Sequence, residues 1–267
     1  MIEFIQIFII AVAQGIGEFL PISSSGHNAV IFHIFERFGN PLPEFLKLNI
    51  LLHVGSLVAV LIVYRQRIID MFGKDIRLIP MLIVATIPAV GMGGAVKLCD
   101  AKWIMDFLPL ISGCFVVTGL LLLYTLRLPE GEKTTSTMSW ADALIIGCVQ
   151  AFAILPGISR SGSTIVAGLC CRLKREDAAA FSFILSIPVI VLSGLAECWD
   201  MIKLSPESSA PAISNWLLLT GALVSCLASV TALVFLLNWL KKGKLWYFAI
   251  WVFIMSPLTL LLYFVKT

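Results

Sequence analysis

Six stretches of this chain are apolar for long enough to cross a hydrocarbon layer. They lie near 48–64, 78–98, 104–126, 177–197, 213–237 and 245–265. A span needs about 20 apolar residues to cross roughly 30 Å of lipid core. Backbone polar groups cannot be left unpaired there, so each stretch is predicted to be a helix. Two boundaries are soft, because 48–64 is short and 78–98 contains Pro88, Gly91, Gly93 and Gly94. Hydrophobic residues make up 59% of the chain and charged residues 13%. A soluble domain carries about 25% charged residues. The charge deficit rules out disorder and argues against a soluble enzyme. The net charge of +3 comes with no basic patch interleaved with aromatics, so no nucleic-acid partner is expected. The seven cysteines show no CxxC spacing and read as small apolar side chains. Glu3 stands where a signal peptide would carry Lys or Arg, so the N-terminal run is read as part of the fold.

Two further apolar segments, 4–36 and 141–172, are too long for one helix and are broken in the middle. The first breaks at Pro21, Ile22, Ser23, Ser24, Ser25 and Gly26; the second breaks between Pro156 and Gly162. Irregular backbone at membrane depth is tolerated only inside protein or beside a wet cavity. Both segments are therefore read as re-entrant helix–loop–helix hairpins. The first helix should end near Leu20, since a residue before proline disfavours the helical region. Ser23, Ser24 and Ser25 then fall in the turn, and Gly26 and His27 open the next helix. In the second hairpin Ser159, Arg160 and Ser161 fall in the turn, and Gly162, Ser163 and Thr164 open the helix.

Basic residues orient the chain. Twelve of the 19 Lys and Arg lie in four loops: Arg65, Arg67, Lys74 and Arg77; Arg127 and Lys133; Arg172, Lys174 and Arg175; Lys241, Lys242 and Lys244. Six lie on the opposite side: Arg37, Lys47, Lys97, Lys102, Lys203 and Lys266. The richer side is assigned to the cytoplasm, with both termini outside. The two hairpins must then enter from opposite faces. They also match in sequence. Gln14, Ser23, Ser25 and Gly26 recur as Gln150, Ser159, Ser161 and Gly162, shifted by 136 residues. The expected fold is all-α: one polytopic membrane domain over 1–267, with six transmembrane helices and two re-entrant hairpins. Its halves, roughly 1–126 and 127–267, would form an inverted-topology repeat. Such repeats place the working site near the midplane, where broken helices meet.

Ionisable residues inside a membrane are expensive and mark function by default. Glu18 is the sole full charge between Phe4 and Phe35, and Arg160 the sole one in 143–171. Gln14 and Glu18, four apart, share a helical face. Helix N-termini, serine hydroxyls and a guanidinium suit phosphate oxygens. A carboxylate beside phosphate needs a proton or a cation, and a shared Mg²⁺ or Ca²⁺ would supply the latter. The blander alternatives are a structural Glu18–Arg160 ion pair, serines that only cap helices, and a hydrogen-bonded interior His27. His33 and His53 are read as structural or peripheral.

These residues resemble the bacterial undecaprenyl-diphosphatase family, also called bacitracin-resistance proteins. The first signature stands as Gln14, Glu18, Phe19, Leu20, Pro21, Ile22, Ser23, Ser24, Ser25, Gly26 and His27. The second stands as Pro156, Gly157, Ser159, Arg160, Ser161, Gly162 and Thr164. The stretches 52–60 and 180–188 also look like family sequence. The resemblance covers nearly the whole chain. It implies hydrolysis of undecaprenyl diphosphate to undecaprenyl phosphate and inorganic phosphate, which recycles the cell-wall lipid carrier and confers bacitracin resistance. It also implies divalent-metal dependence, a multi-pass protein of the bacterial inner membrane, and a site open to the outer face. Glu18, His27 and Arg160 match the positions that the family treats as essential. Ser24, Ser159, Ser161 and Thr164 match supporting positions. Gln14 stands where some members have Glu, so the residue there offers an amide oxygen instead of a carboxylate. Ser25 replaces a frequent Thr and keeps the hydroxyl.

The expected roles are as follows. Glu18, His27, Arg160 and Ser24 are catalytic. Ser23, Ser25, Ser159, Ser161 and Thr164 bind substrate. Glu18 and Gln14 hold the divalent metal, Mg²⁺ or Ca²⁺. Ser24 with His27 as base, and direct attack by His27, both stand as routes. The partners are a polyprenyl diphosphate lipid and the surrounding membrane lipids, with a homodimer left open. The rival reading is a polyprenyl-phosphate transporter or flippase.

Overall fold

The computed structural model describes residues 2–42, 45–203 and 213–265. Lys266, counted above on the outer side, lies outside the described residues. Eleven α-helices follow in chain order among these residues. They are α1 (Ile2–Phe19), α2 (Ser24–Arg37), α3 (Phe45–Val63), α4 (Arg65–Met71), α5 (Leu78–Leu98), α6 (Leu108–Tyr124), α7 (Trp140–Phe152), α8 (Arg160–Cys170), α9 (Arg175–Lys203), α10 (Asn215–Lys241) and α11 (Tyr247–Phe264). No strand occurs among the described residues; a single bridge joins Lys133 to Leu173. The chain is an all-α polytopic membrane protein.

Six helices are long and apolar enough to cross a membrane: α1, α5, α6 with its 3₁₀ end, α9, α10 and α11. The set differs from the expected one in two places. Helix α1, at 18 residues, passes as a span by itself, although it is the first arm of a broken hairpin. The expected span 48–64 is α3, which turns through 77° at Tyr64 into the short α4. The remaining spans sit within a few residues of expectation, except that α9 runs on past the expected end at Glu197 to Lys203 and carries Asp200 with it. The arms of the second hairpin have 13 and 11 residues. At 1.5 Å per residue each covers roughly 20 Å or less. Neither can cross.

Helix contacts are reciprocal between the halves. The first hairpin's α1 packs on α10, the second hairpin's α7 packs on α5, and α6 packs on α11. Small residues let the backbones meet, as is usual between membrane helices. A Cβ on Gly15 would lie 2.4 Å from the Ser225 carbonyl oxygen, and one on Gly147 2.5 Å from that of Ala85. Serines of α10 tie it to its neighbours: Ser225 Oγ donates to the Leu52 carbonyl at 2.9 Å and Ser229 Oγ to that of Gly15 at 3.2 Å.

The four basic loops gather on one face. Arg67 donates to Thr135 Oγ1 at 3.1 Å and to Asp177 Oδ1 at 3.2 Å. Lys133 N–H reaches the Arg172 carbonyl at 2.9 Å, and Lys241 pairs with Glu176 at 3.3 Å. Lys97 and Asp200 pair at the opposite ends of α5 and α9. On the basic face α7 starts with a capping box. The Asp142 N–H donates to Ser139 Oγ at 3.1 Å, and Asp142 Oδ2 accepts from the Ser139 N–H at 2.8 Å and from Lys133 Nζ at 2.9 Å. Burial works against the Asp142 charge, but the Ser139 N–H and Lys133 outweigh it and hold the carboxyl below its ordinary range. A depressed carboxyl stabilises the fold at neutral pH and loses that contribution as pH falls through its folded value. Asp142→Ala is expected to cost about 1–2 kcal/mol, the size of a lost helix cap. A lowered Tm in detergent checks this, and the deficit should shrink on acidification.

Candidate active site

The two hairpin turns are built alike. Ser23 and Ser159 are the N-caps of α2 and α8, each accepting on Oγ from the N–H three residues on: Gly26 at 3.3 Å and Gly162 at 3.1 Å. Both helices thus begin two residues earlier than the sequence suggests. Ser24, Ser25, Arg160 and Ser161 occupy first turns rather than loops. The cause is the cap, which fixes the first turn as soon as a serine hydroxyl can replace the missing carbonyl. The N–H groups at the start of each helix have no intrahelical acceptor.

The turns meet back to back. Gly157 has φ of +96°, a backbone region that favours glycine. Its N–H donates to Ser23 Oγ at 3.0 Å, and its carbonyl accepts from Thr118 Oγ1 at 2.7 Å. A Cβ on Gly26 would come within 2.8 Å of Gly157 N. Ser161 Oγ donates to the Leu20 carbonyl at 3.3 Å and shares a 3.2 Å contact with Ser159 Oγ.

Beside this junction the two buried charges pair. Arg160 Nη2 donates to Glu18 Oε1 at 2.7 Å, and Nη1 reaches the Ser182 carbonyl at 3.3 Å. Glu18 Oε2 accepts from Ser24 Oγ at 2.9 Å and from Gln14 Nε2 at 3.0 Å. Gln14 Oε1 in turn accepts from Asn28 Nδ2 at 2.8 Å. Glu18 and Arg160 expose only 8% and 14% of their side chains. The attraction is therefore weakly screened. Thr164 Oγ1 donates to the Arg160 carbonyl at 2.8 Å and contacts Ser182 Oγ, bracing the first turn of α8.

The structure thus brings Gln14, Glu18, Ser24 and Arg160 into one network. It turns Ser23 and Ser159 to capping, and Ser25 is exposed at the tip. His27 lies apart from the network: Nδ1 bonds the Ser23 carbonyl at 2.8 Å and Nε2 accepts from Trp251 Nε1 at 2.8 Å. His53, read as peripheral, places Nε2 3.8 Å from Glu18 Oε2. It sits mid-span on α3, so the criterion that selected Glu18, an ionisable group inside an apolar run, also marks it. Thr118 of α6 and Trp251 of α11 join the site from distant helices with no sequence signal of their own, Asn28 follows the first motif on α2, and Ser182 lies in the family-like stretch 180–188.

Gln14 Oε1 accepts from Asn28 Nδ2 and keeps a second lone pair that could meet a divalent cation, while its amide serves Glu18 as a donor. Glu18 fits as a lone carboxylate ligand: three of its roughly four acceptor positions are used, and one remains. Among the described residues no three of His, Cys, Asp and Glu form a metal cluster. Bound phosphate oxygens would have to complete the shell, the usual arrangement for Mg²⁺.

The model of the bacitracin resistance protein BacA family matches residues 7–258. A protein of Rhodopirellula baltica named undecaprenyl-diphosphatase is 38% identical over 252 residues, covering 94% of this chain and 95% of its own. Proteins of the same name from Alkaliphilus metalliredigens and Treponema denticola are each 37% identical, covering 95% and 96% of this chain and 96% and 94% of their own. With most of its length matched and the polar network built from the two motifs, this chain belongs to the bacitracin resistance protein BacA family.

Proposed function

We propose that the protein hydrolyses undecaprenyl diphosphate to undecaprenyl phosphate and inorganic phosphate, with Ser24 as nucleophile. One observation carries this reading. The Ser24 hydroxyl points its proton at Glu18 Oε2, 2.9 Å away, while Arg160 holds the other carboxylate oxygen. The site therefore pairs a nucleophile with a base and sets a phosphate-binding guanidinium beside them. It offers the N-termini of α2 and α8 for the phosphate oxygens. Phosphoryl transfer asks chiefly for such positioning and charge stabilisation.

In the first step Ser24 Oγ attacks the terminal phosphorus and its proton passes to Glu18. The bridging P–O bond breaks and undecaprenyl phosphate leaves. In the second step water attacks the phosphoserine, Glu18 returns the proton to Ser24 Oγ, and inorganic phosphate departs. Arg160 and the N–H groups of α8 hold charge on the transferred group throughout. A divalent cation on Glu18 and the diphosphate oxygens would screen the carboxylate from the substrate's charge. The apolar polyprenyl tail stays in lipid between helices while the head reaches the turns. Metal-dependent phosphate release by purified protein in detergent tests the reading. Lipid movement in proteoliposomes without hydrolysis would replace it with a transporter.

The orientation proposed is that of an inner-membrane protein with the four basic loops in the cytoplasm and the site reached from outside. Cys99 is exposed at the end of α5 away from the basic loops. A variant retaining Cys99 alone should react with an impermeant thiol reagent on intact cells. A cysteine-free variant carrying Lys242→Cys should react only after lysis. The reverse pattern would invert the topology.

A further inference from the structure

We propose that His27 and Trp251 form a positioning pair that sets the Ser23–Ser24 turn, and that His27 takes no chemical step. The geometry settles the state of the ring. A backbone carbonyl only accepts, so Nδ1 must carry the hydrogen that meets the Ser23 oxygen at 2.8 Å. An indole N–H only donates, so Nε2 is bare and its lone pair is committed to Trp251 at 2.8 Å. The ring geometry favours the bond: the indole and imidazole planes are 7° apart with centroids at 6.1 Å, so the rings lie side by side and the N–H meets the in-plane lone pair, while Phe115 meets the imidazole edge-on at 5.2 Å. No lone pair remains to attack phosphorus or to take a proton from Ser24, whose own proton already faces Glu18.

The pair acts on Ser23. That residue has φ of +70°, a region costly for a residue with a side chain, and persists only where its surroundings over-determine it. Its carbonyl is held by His27 through both Nδ1 and the backbone N–H, the latter at 3.2 Å. Its hydroxyl accepts from Gly26 and from Gly157 of the other hairpin. Ser23 is therefore the joint between the two turns. The peptide that His27 grips is the one leading into Ser24, so it aims Ser24 Oγ at Glu18. Trp251, on α11, is the outer end of the chain of contacts and is not in the catalytic network. It is a positioning residue acting through His27.

The activity arm of the test rests on the phosphatase reading; the spectroscopic arm does not. With ¹⁵N-histidine, the NMR spectrum of the wild type should show His27 protonated on Nδ1 and bare on Nε2. Trp251→Phe should shift the Nε2 resonance. In phosphate release, His27→Asn supplies an amide N–H toward the Ser23 carbonyl and should stay within about tenfold of wild type, the scale of one hydrogen bond. His27→Ala should fall by about a hundredfold. Trp251→Phe should cost about tenfold in the wild type and less than about twofold in the His27→Asn background, because the bond it removes is already gone. A histidine acting as acid or base would instead lose about 10²–10⁴ with either replacement. A folded His27→Asn protein as inactive as His27→Ala overturns the proposal, as does an Nε2 found protonated. If the wild type releases no phosphate, the function reading fails, and the tautomer alone decides this one.

Discussion

Arg160→Ala is expected to abolish phosphate release, by about 10³–10⁵, the range seen when an arginine that stabilises a transferring phosphoryl group is removed. The residue combines three features: a bidentate fork, burial and placement at the first residue of α8. Its Nη2 meets Glu18 at 2.7 Å and its Nη1 the Ser182 carbonyl at 3.3 Å. A lysine could not serve both directions from one ammonium, so Arg160→Lys should also lose about a hundredfold or more. Folding must be separated from chemistry. Removing one member of a buried pair strands the other and costs about 3–5 kcal/mol. Arg160→Ala should accordingly lower Tm as well. The double variant Glu18→Gln/Arg160→Gln removes both charges and should recover most of the Tm without recovering activity. A well-folded Arg160→Ala protein that keeps more than about a tenth of the rate would reduce the ion pair to a structural tie between hairpins.

The elements of this fold are largely legible because lipid imposes one rule on them. A span must be long, apolar and helical, and interruptions must be buried in protein. Pro21 and Pro156 therefore announced the hairpins, and the shared serine spacing announced two turns of one design. What spacing could not show is which serine caps and which reacts. Ser23, Ser24 and Ser25 are adjacent and chemically identical; only the backbone sends Ser23 Oγ to Gly26 and Gly157 and Ser24 Oγ to Glu18. The blander reading of serines as caps holds for Ser23 and Ser159. Partners from far along the chain were equally invisible. Trp251 and His27 are 224 residues apart, and His53 comes to Glu18 from α3. The 77° bend after α3 has no proline or glycine at Tyr64 to mark it. The place of Gln14 in the network was likewise not legible: its amide orients Glu18 while its oxygen meets Asn28.

Ser24→Ala should lower the rate about as far as Arg160→Ala while lowering Tm by less. That combination separates a nucleophile from a structural residue. The substitution removes a single oxygen whose buried hydrogen bond to the Glu18 carboxylate contributes about 1–3 kcal/mol. The reaction loses the atom that forms the new P–O bond. Substrate labelled with ³²P in its terminal phosphate adds a direct reading. Rapid quenching in acid should leave label on Ser24 of the wild-type chain, because a phosphoserine survives acid, and none on the Ser24→Ala chain. Glu18→Gln should slow labelling and release together, since the same carboxylate takes the proton in the first step and returns it in the second. Label that survives an alkaline quench, is lost in acid and maps to His27 would reverse the assignment. It would also require Trp251 to release Nε2 before every turnover, which makes the two histidine nitrogens and the serine oxygen rivals that one quench experiment can tell apart.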